Sequence, residues 1–257
     1  LKVITVVNQK GGVGKTTTAV NLASALAAAE FPTLLIDCDP QANATSGLGI
    51  SKTASTRHLY HVLLGEIPLD AAVLPTDMAH LHVVPSDPSL IGAEVELMDQ
   101  PHRERRLASA LSTVGDGAYR FVLVDCPPSL GLLTLNALTA CHSVLIPLQC
   151  EYYALEGLSR LLHTVRLVRS RLNPDLRIEG ILLTMYDGRN NLSRQVEREV
   201  RTHFPDKVFR TIIPRNVRLG EAPSHGKPIL LYDIECAGAR AYLDLARELI
   251  QLDGARP

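Results

Sequence analysis

A single α/β domain, built on a mainly parallel, twisted sheet of about seven or eight strands with helices on both faces, is predicted by three observations. Short, continuously apolar runs recur along the 257 residues. Helical patterns lie between most of them. A glycine-rich turn joins the first run to the first helix. Strands covered on both faces read as unbroken apolar runs, and their alternation with helices implies parallel connections.

The runs are Val3–Val7, Thr33–Ile36, Leu81–Val84, Phe121–Val124, Val144–Ile146, Ile178–Leu183 and Val208–Ile213. Asp37 follows the second and Asp125 the fourth. Pro85, Pro147 and Pro214 are expected to close three others, because proline cannot donate to a sheet ladder. The first helix is expected over Thr16–Ala29, which is Ala-rich and spaces Leu22 and Leu26 one turn apart. A second, Ala154–Leu172, puts Leu155, Leu158, Leu161, Leu162, Val165, Val168 and Leu172 on one stripe, with Arg160, Arg166, Arg169 and Arg171 largely off it. Another helix is expected over roughly Ala237–Leu252. No linker, repeat or low-complexity tract interrupts the chain, so one domain is expected over residues 1–257.

Composition excludes several classes. The chain is 46% hydrophobic and 21% charged, enough to build a core. Trp is absent and aromatics are 4%, which disfavours stacking platforms for single-stranded nucleic acid. The five cysteines, Cys38, Cys126, Cys141, Cys150 and Cys236, are odd in number and never spaced C-x-x-C. Neither a disulfide framework nor a zinc knuckle is expected, and Cys38 and Cys126 read as small buried hydrophobes in a reducing cytoplasm. No apolar run reaches the roughly 18 residues of a membrane span. The first residues read as a strand rather than a signal peptide.

The formal net charge of −1 conceals an asymmetry. Residues 1–159 carry 9 Lys/Arg against 15 Asp/Glu, whereas residues 160–218 carry 13 against 6. Such a basic segment reads either as a solvated helical face or as a binding surface for a polyanion.

The strongest motif is Lys10-Gly11-Gly12-Val13-Gly14-Lys15-Thr16-Thr17, between a strand and a helix. Glycines let the backbone curl its N–H groups toward phosphate oxygens, and the helix N-terminus adds partial positive charge. Lys15 is placed to reach the β- and γ-phosphates of ATP, and the Thr16 hydroxyl to ligate Mg²⁺. Carboxylates just past strand ends are where α/β ligand sites assemble. Asp37 and Asp39 follow one strand and Asp125 another. An isolated Asp there is ordinarily a cap or turn residue; beside a phosphate loop, metal and water roles are favoured.

The loop departs from the common G-x-x-x-x-G-K-T pattern, with Gln9 at its first position and an extra lysine, Lys10. In this it resembles the deviant Walker A ATPases, the group that includes ParA, MinD and the nitrogenase iron protein. Longer stretches are similar to ParA of the chromosomal, Soj-like type: Asn8-Gln9-Lys10-Gly11-Gly12, Asp39-Pro40-Gln41, Asn43-Ala44-Thr45, Cys126-Pro127-Pro128-Ser129, Gln149 to Gly157, Thr184 to Arg189, Ile213 to Arg218, and Glu221 to Pro228. The resemblance implies that Lys10 reaches across a homodimer to the partner's nucleotide. It implies that Asp39 orients the attacking water, that Asp125 is the Walker B acid and that Asp37 organises the metal's outer shell. Pro214 and Asn216 then lie against the adenine. Arg189 and Arg218, with Arg215 nearby, are implied to carry sequence-independent binding of duplex DNA by the ATP-loaded dimer. A ParB-like partner is implied to stimulate hydrolysis, in a cytoplasmic, nucleoid-associated setting. No helix-turn-helix region is expected ahead of the loop. The competing reading is a MinD-like membrane ATPase, which should end in a basic amphipathic helix. Arg247 is balanced here by Asp244 and Glu248, so no membrane partner is expected.

Overall fold

The computed structural model describes residues 1–51, 56–115 and 117–254. Eight strands form one sheet: β1 (Lys2–Val6), β2 (Thr33–Asp37), β3 (Leu74–Pro75), β4 (Leu81–Val84), β5 (Phe121–Asp125), β6 (Ser143–Gln149), β7 (Arg177–Tyr186) and β8 (Val208–Pro214). Their order is β3-β4-β2-β5-β1-β6-β7-β8. Every neighbouring pair is parallel except the short β3, which runs antiparallel on β4 at one edge. The helices are α1 (Lys15–Ala28), α2 (Asn43–Gly47), α3 (Leu59–Leu64), α4 (Leu90–Glu96), α5 (Arg106–Leu111), α6 (Leu132–Ala140), α7 (Ala154–Arg171), α8 (Asn191–His203), α9 (Val217–Glu221), α10 (Ile229–Tyr232) and α11 (Ala237–Gly254).

Strand alternation explains the layers. In β2, Leu34 and Ile36 face one core while Leu35 faces the other; in β5, Val122 and Val124 oppose Phe121 and Leu123 in the same way. One core is completed by α6 and α7, through residues such as Leu133, Ala137, Leu158 and Leu161. The other is completed by α1 and α11, through Leu22, Leu26, Tyr242, Leu245 and Leu249. Helices therefore cover both faces, as the unbroken apolar runs require. The cysteines are free, and Cys38, Cys126, Cys141 and Cys150 are buried. Burial pushes the Cys150 thiol up to about 12 and the Cys38 and Cys126 thiols well above their usual range, so they pack as apolar groups.

Pro147 and Pro214 differ from expectation, for both lie within strands rather than beyond them. Proline in a central strand should break a ladder bond. Pro147 escapes this because β1 pairs with β6 only as far as Leu145 before turning into the glycine loop. The side of β6 where the missing N–H would point is thus vacated, and the Pro147 carbonyl there accepts from Asn8 Nδ2 at 2.7 Å.

Because the strands from β4 to β8 run parallel, their C-terminal ends share one edge of the sheet. That edge collects the glycine loop after β1, Asp37 and Asp39 after β2, Asp125 after β5, Glu151 after β6, Arg189 after β7 and Arg215 after β8. It is the edge where open α/β sheets place their ligands.

Candidate nucleotide site

The glycine loop is held in place from several directions. Gly12 (φ 76°) and Gly14 (φ 88°) adopt left-handed backbone that glycine takes without strain. Asn8 ties the loop to β6 through Pro147, and its Oδ1 accepts from the Lys10 amide at 3.0 Å. Thr184 Oγ1 donates to the Val13 carbonyl at 2.9 Å, anchoring the loop to β7. Lys15 opens α1 and is buried; its ammonium donates to the Lys10 carbonyl at 3.0 Å. Burial holds the Lys15 pKa below its usual value, while Asp125, foremost among the nearby groups, pulls it back up. A desolvated cation at a helix N-terminus is a strong receptor for phosphate.

The carboxylates behave differently from one another. Asp37 is fully buried, and its oxygens are occupied by this chain's own donors. Oδ2 accepts from the Thr45 amide at 2.8 Å and the Thr45 hydroxyl at 2.7 Å, and Oδ1 accepts from the Asp39 amide at 3.2 Å. Burial pushes its carboxyl up to about 6 against those hydrogen bonds. Asp125 stands directly opposite it on β5 and is equally buried, but neither oxygen has a hydrogen-bond partner among the described residues. Burial, then the charge of Asp37, drives its pKa well above the carboxylate range; the neighbouring Thr16 hydroxyl and Lys15 pull the other way. Asp39 is buried and its Oδ1 accepts from the Gln41 amide at 2.9 Å.

An unpartnered buried carboxylate beside a threonine hydroxyl fits a hard cation, since leaving it bare is costly. Among the described residues no group of three His, Cys, Asp or Glu forms a ready metal cage. A cation held by Thr16 and Asp125 would therefore take its remaining ligands from nucleotide and water, as Mg²⁺ does.

A cavity of about 450 Å³ opens beside the loop. Gly14 and Thr17 line it from the loop side, Pro214 and Asn216 from the end of β8, and Met185 and Tyr242 from β7 and α11. Its size and largely apolar walls suit a purine. Asn216 Oδ1 accepts from the Arg218 amide at 2.9 Å, leaving the Asn216 NH₂ as a donor. Thr45, Thr184 and Met185 lie in stretches that carry the family resemblance but drew no role from it, and Tyr242 lies in none; all four join the site. Met185 is a non-glycine residue at φ 48°, a conformation that costs energy and here sits at the cavity wall.

Lys10 stands at the rim, with 49% of its side chain exposed, and ion-pairs with Glu151. Arg189 is 91% exposed and forms a two-pronged pair with Asp187, at 3.0 Å from Nε and 2.9 Å from Nη2. Arg215 is exposed, and its amide donates to the Tyr186 carbonyl at 3.0 Å, which places it close to Asp187 and Arg189. Arg218 follows on α9 and pairs with Glu221 at 2.9 Å and Asp233 at 3.4 Å. The basic residues thus share the nucleotide edge, but Arg189 and Arg218 each have an acidic neighbour to leave before meeting a phosphate. The last helix, α11, buries Tyr242, Leu245 and Leu249 against β8 and α1, so its apolar face is already covered. No helix among the described residues is long and apolar enough to cross a membrane.

A parallel sheet with a strand–glycine loop–helix unit, a buried loop lysine and carboxylates on the adjoining strands defines a P-loop ATPase. Residues 1–178 match the AAA domain family. The chain is 58% identical to the "Chromosome partitioning protein ParA" of Myxococcus xanthus over 98% of this chain and 89% of that one. It is 57% identical to the "Sporulation initiation inhibitor protein Soj" of Bacillus subtilis, over 96% and 98% of the two chains. Among solved structures, cobyrinic acid a,c-diamide synthase from Mycobacterium smegmatis with bound ADP and magnesium superimposes with a TM-score of 0.87 at 37% identity, over 99% and 96%. The chain belongs to the ParA/Soj family of chromosome-partitioning ATPases.

Proposed function

We propose that this ATPase is a nucleotide-gated dimer whose ATP state binds duplex DNA without sequence preference. The observation that carries the reading is the division of labour between two lysines. Lys15 is buried inside the loop, where one nucleotide's phosphates would lie, while Lys10 sits half-exposed at the rim, where a second subunit's nucleotide could be met. Thr16 and Asp125 would hold Mg²⁺, with Asp37 ordering the surrounding shell, and the ion would supply charge to neutralise the phosphates. Asp39 orients the attacking water, and Pro214 and Asn216 hold the adenine.

Closing two copies face to face would juxtapose two sets of Arg189, Arg215 and Arg218, so that phosphate contacts add. A ParB-like, centromere-bound partner stimulates hydrolysis, and loss of the γ-phosphate releases dimer and DNA. The setting is the cytoplasm, at the nucleoid, and the covered face of α11 supports this over a membrane-bound mode.

Lys10→Ala is expected to bind ATP as a monomer and to fail to dimerise. Analytical ultracentrifugation with ATP checks this, and a mutant that dimerises as tightly as wild type would remove Lys10 from the cross-subunit contact. Arg189→Ala and Arg218→Ala are expected to weaken binding of any duplex while leaving ATP binding and dimerisation intact. Each lost phosphate contact should flatten the log–log salt slope by about 0.9, and by up to about twice that in a symmetric dimer. Unchanged slopes and affinities in both mutants would reduce the arginine cluster to a solvated face.

A further inference from the structure

We propose that Tyr152 and Tyr153 form an aromatic anchor on which a second copy of this chain docks; the inference rests on the ATP-dependent dimer proposed above. Side-chain exposure first singles out the pair. Tyr152 is 78% exposed, more than any other large hydrophobic residue among those described, and Tyr153 is 67% exposed. Aromatics are only 4% of the chain, and others such as Phe121, Phe209 and Tyr242 are buried in its cores. Two adjacent tyrosines left in water are therefore unusual in this molecule. Neither hydroxyl hydrogen-bonds to another described residue.

Their location ties them to the nucleotide. They follow Glu151 at the C-terminal end of β6, the strand beside β1, and Glu151 holds the Lys10 ammonium. The pair thus stands at the rim of the phosphate loop, next to the lysine assigned to the partner's nucleotide.

Their backbone is also preset. The Glu151 amide donates to the Gln149 carbonyl at 2.9 Å, the Ala154 amide to the Glu151 carbonyl at 3.0 Å, and the Gly157 amide to the Tyr153 carbonyl at 3.2 Å. The rings meet edge to face, with centroids 5.0 Å apart and planes at 90°. A backbone held in this way leaves mainly side-chain freedom to lose on docking, and tyrosine has little of it; tyrosines of this kind dominate many interfaces.

Charge decides the occupant. Residues 121–159 contain no Lys or Arg, and Asp125, Glu151 and Glu156 are acidic. A nucleic acid or an anionic membrane would find no cation on this segment, and Lys10, the cation beside it, is already paired with Glu151. A second copy would not be repelled. The patch carries one cation, Lys10, and one anion, Glu151, beside its apolar rings. A two-fold axis sets such a patch against itself, so each sign can meet its opposite.

The test is sedimentation equilibrium of the full chain with Mg²⁺ and a non-hydrolysable ATP analogue. A Tyr152→Ala/Tyr153→Ala double variant should bind a fluorescent ATP analogue as wild type does, which also reports its folding. Its dimer should be weaker by about 30-fold or more, the effect of truncating interface hot spots. Tyr152→Phe/Tyr153→Phe should restore dimerisation to within about threefold, because the rings and not the hydroxyls carry the contact. An alanine variant that dimerises like wild type overturns the inference while leaving the dimer standing, including when that variant loses DNA or vesicle binding instead. A wild-type chain that stays monomeric with the analogue overturns both.

Discussion

Lys15→Ala is expected to reduce ATP binding by more than about 100-fold, because it removes the charge-assisted hydrogen bonds proposed to the β- and γ-phosphates, each about 1.5–3 kcal/mol. The reason is local. The lysine is buried at the head of α1, where water screens little, and among the described residues its ammonium donates only to the Lys10 carbonyl. The backbone cradle would survive the substitution, since Gly12, Gly14, Asn8 and Thr184 hold it independently. The loss would thus report the cation and not a collapsed loop. Fluorescent ATP-analogue binding with Mg²⁺ checks this; wild-type affinity in the mutant would contradict the phosphate-site assignment.

Asp39→Ala is expected to retain ATP and the dimer but to lose hydrolysis by about 10²–10⁴-fold, the range for removing a group that positions or activates the nucleophile. Asp39 is buried beside the loop. Its Oδ1 accepts from the Gln41 amide, which leaves Oδ2 for water. The proposed phosphate contacts lie elsewhere, on Lys15 and the glycine loop, so binding should be spared. The product should be a long-lived ATP dimer, visible by size exclusion with light scattering. Turnover at the wild-type rate would move the water-orienting role to another group.

The strand–glycine loop–helix unit is legible in sequence because it is contiguous: one run of eight residues supplies the turn, the buried Lys15 and the Thr16 hydroxyl, and its strand and helix are its immediate neighbours. The layers are legible because β2, β5 and β6 are buried on both faces and so read as unbroken apolar runs. What escapes depends on distant partners. Thr184 anchors Val13 across 171 positions, a contact that its place in a family-like stretch does not announce, and Tyr242 lines the cavity beside the loop from the last helix with no local signature. Asp37 and Asp125 are each an acid after an apolar run, and only the family resemblance separates their roles in sequence. The structure adds a physical difference: the Thr45 amide and hydroxyl satisfy Asp37, whereas neither Asp125 oxygen has a hydrogen-bond partner among the described residues. The two-residue β3 is too short to show a period. Pro147 reads as a terminator in sequence because its neighbour's departure at Leu145 is a fact of pairing and not of composition.

The central claim is that nucleotide gates DNA binding through dimerisation. The most direct measurement is binding of an arbitrary duplex by the wild-type chain across a salt series, with a non-hydrolysable ATP analogue and, separately, with ADP. The prediction is tight binding with the analogue, with a steep log–log salt slope set by phosphate contacts doubled in the dimer, and little binding with ADP. Equal affinity and equal slope in the two nucleotide states would contradict it.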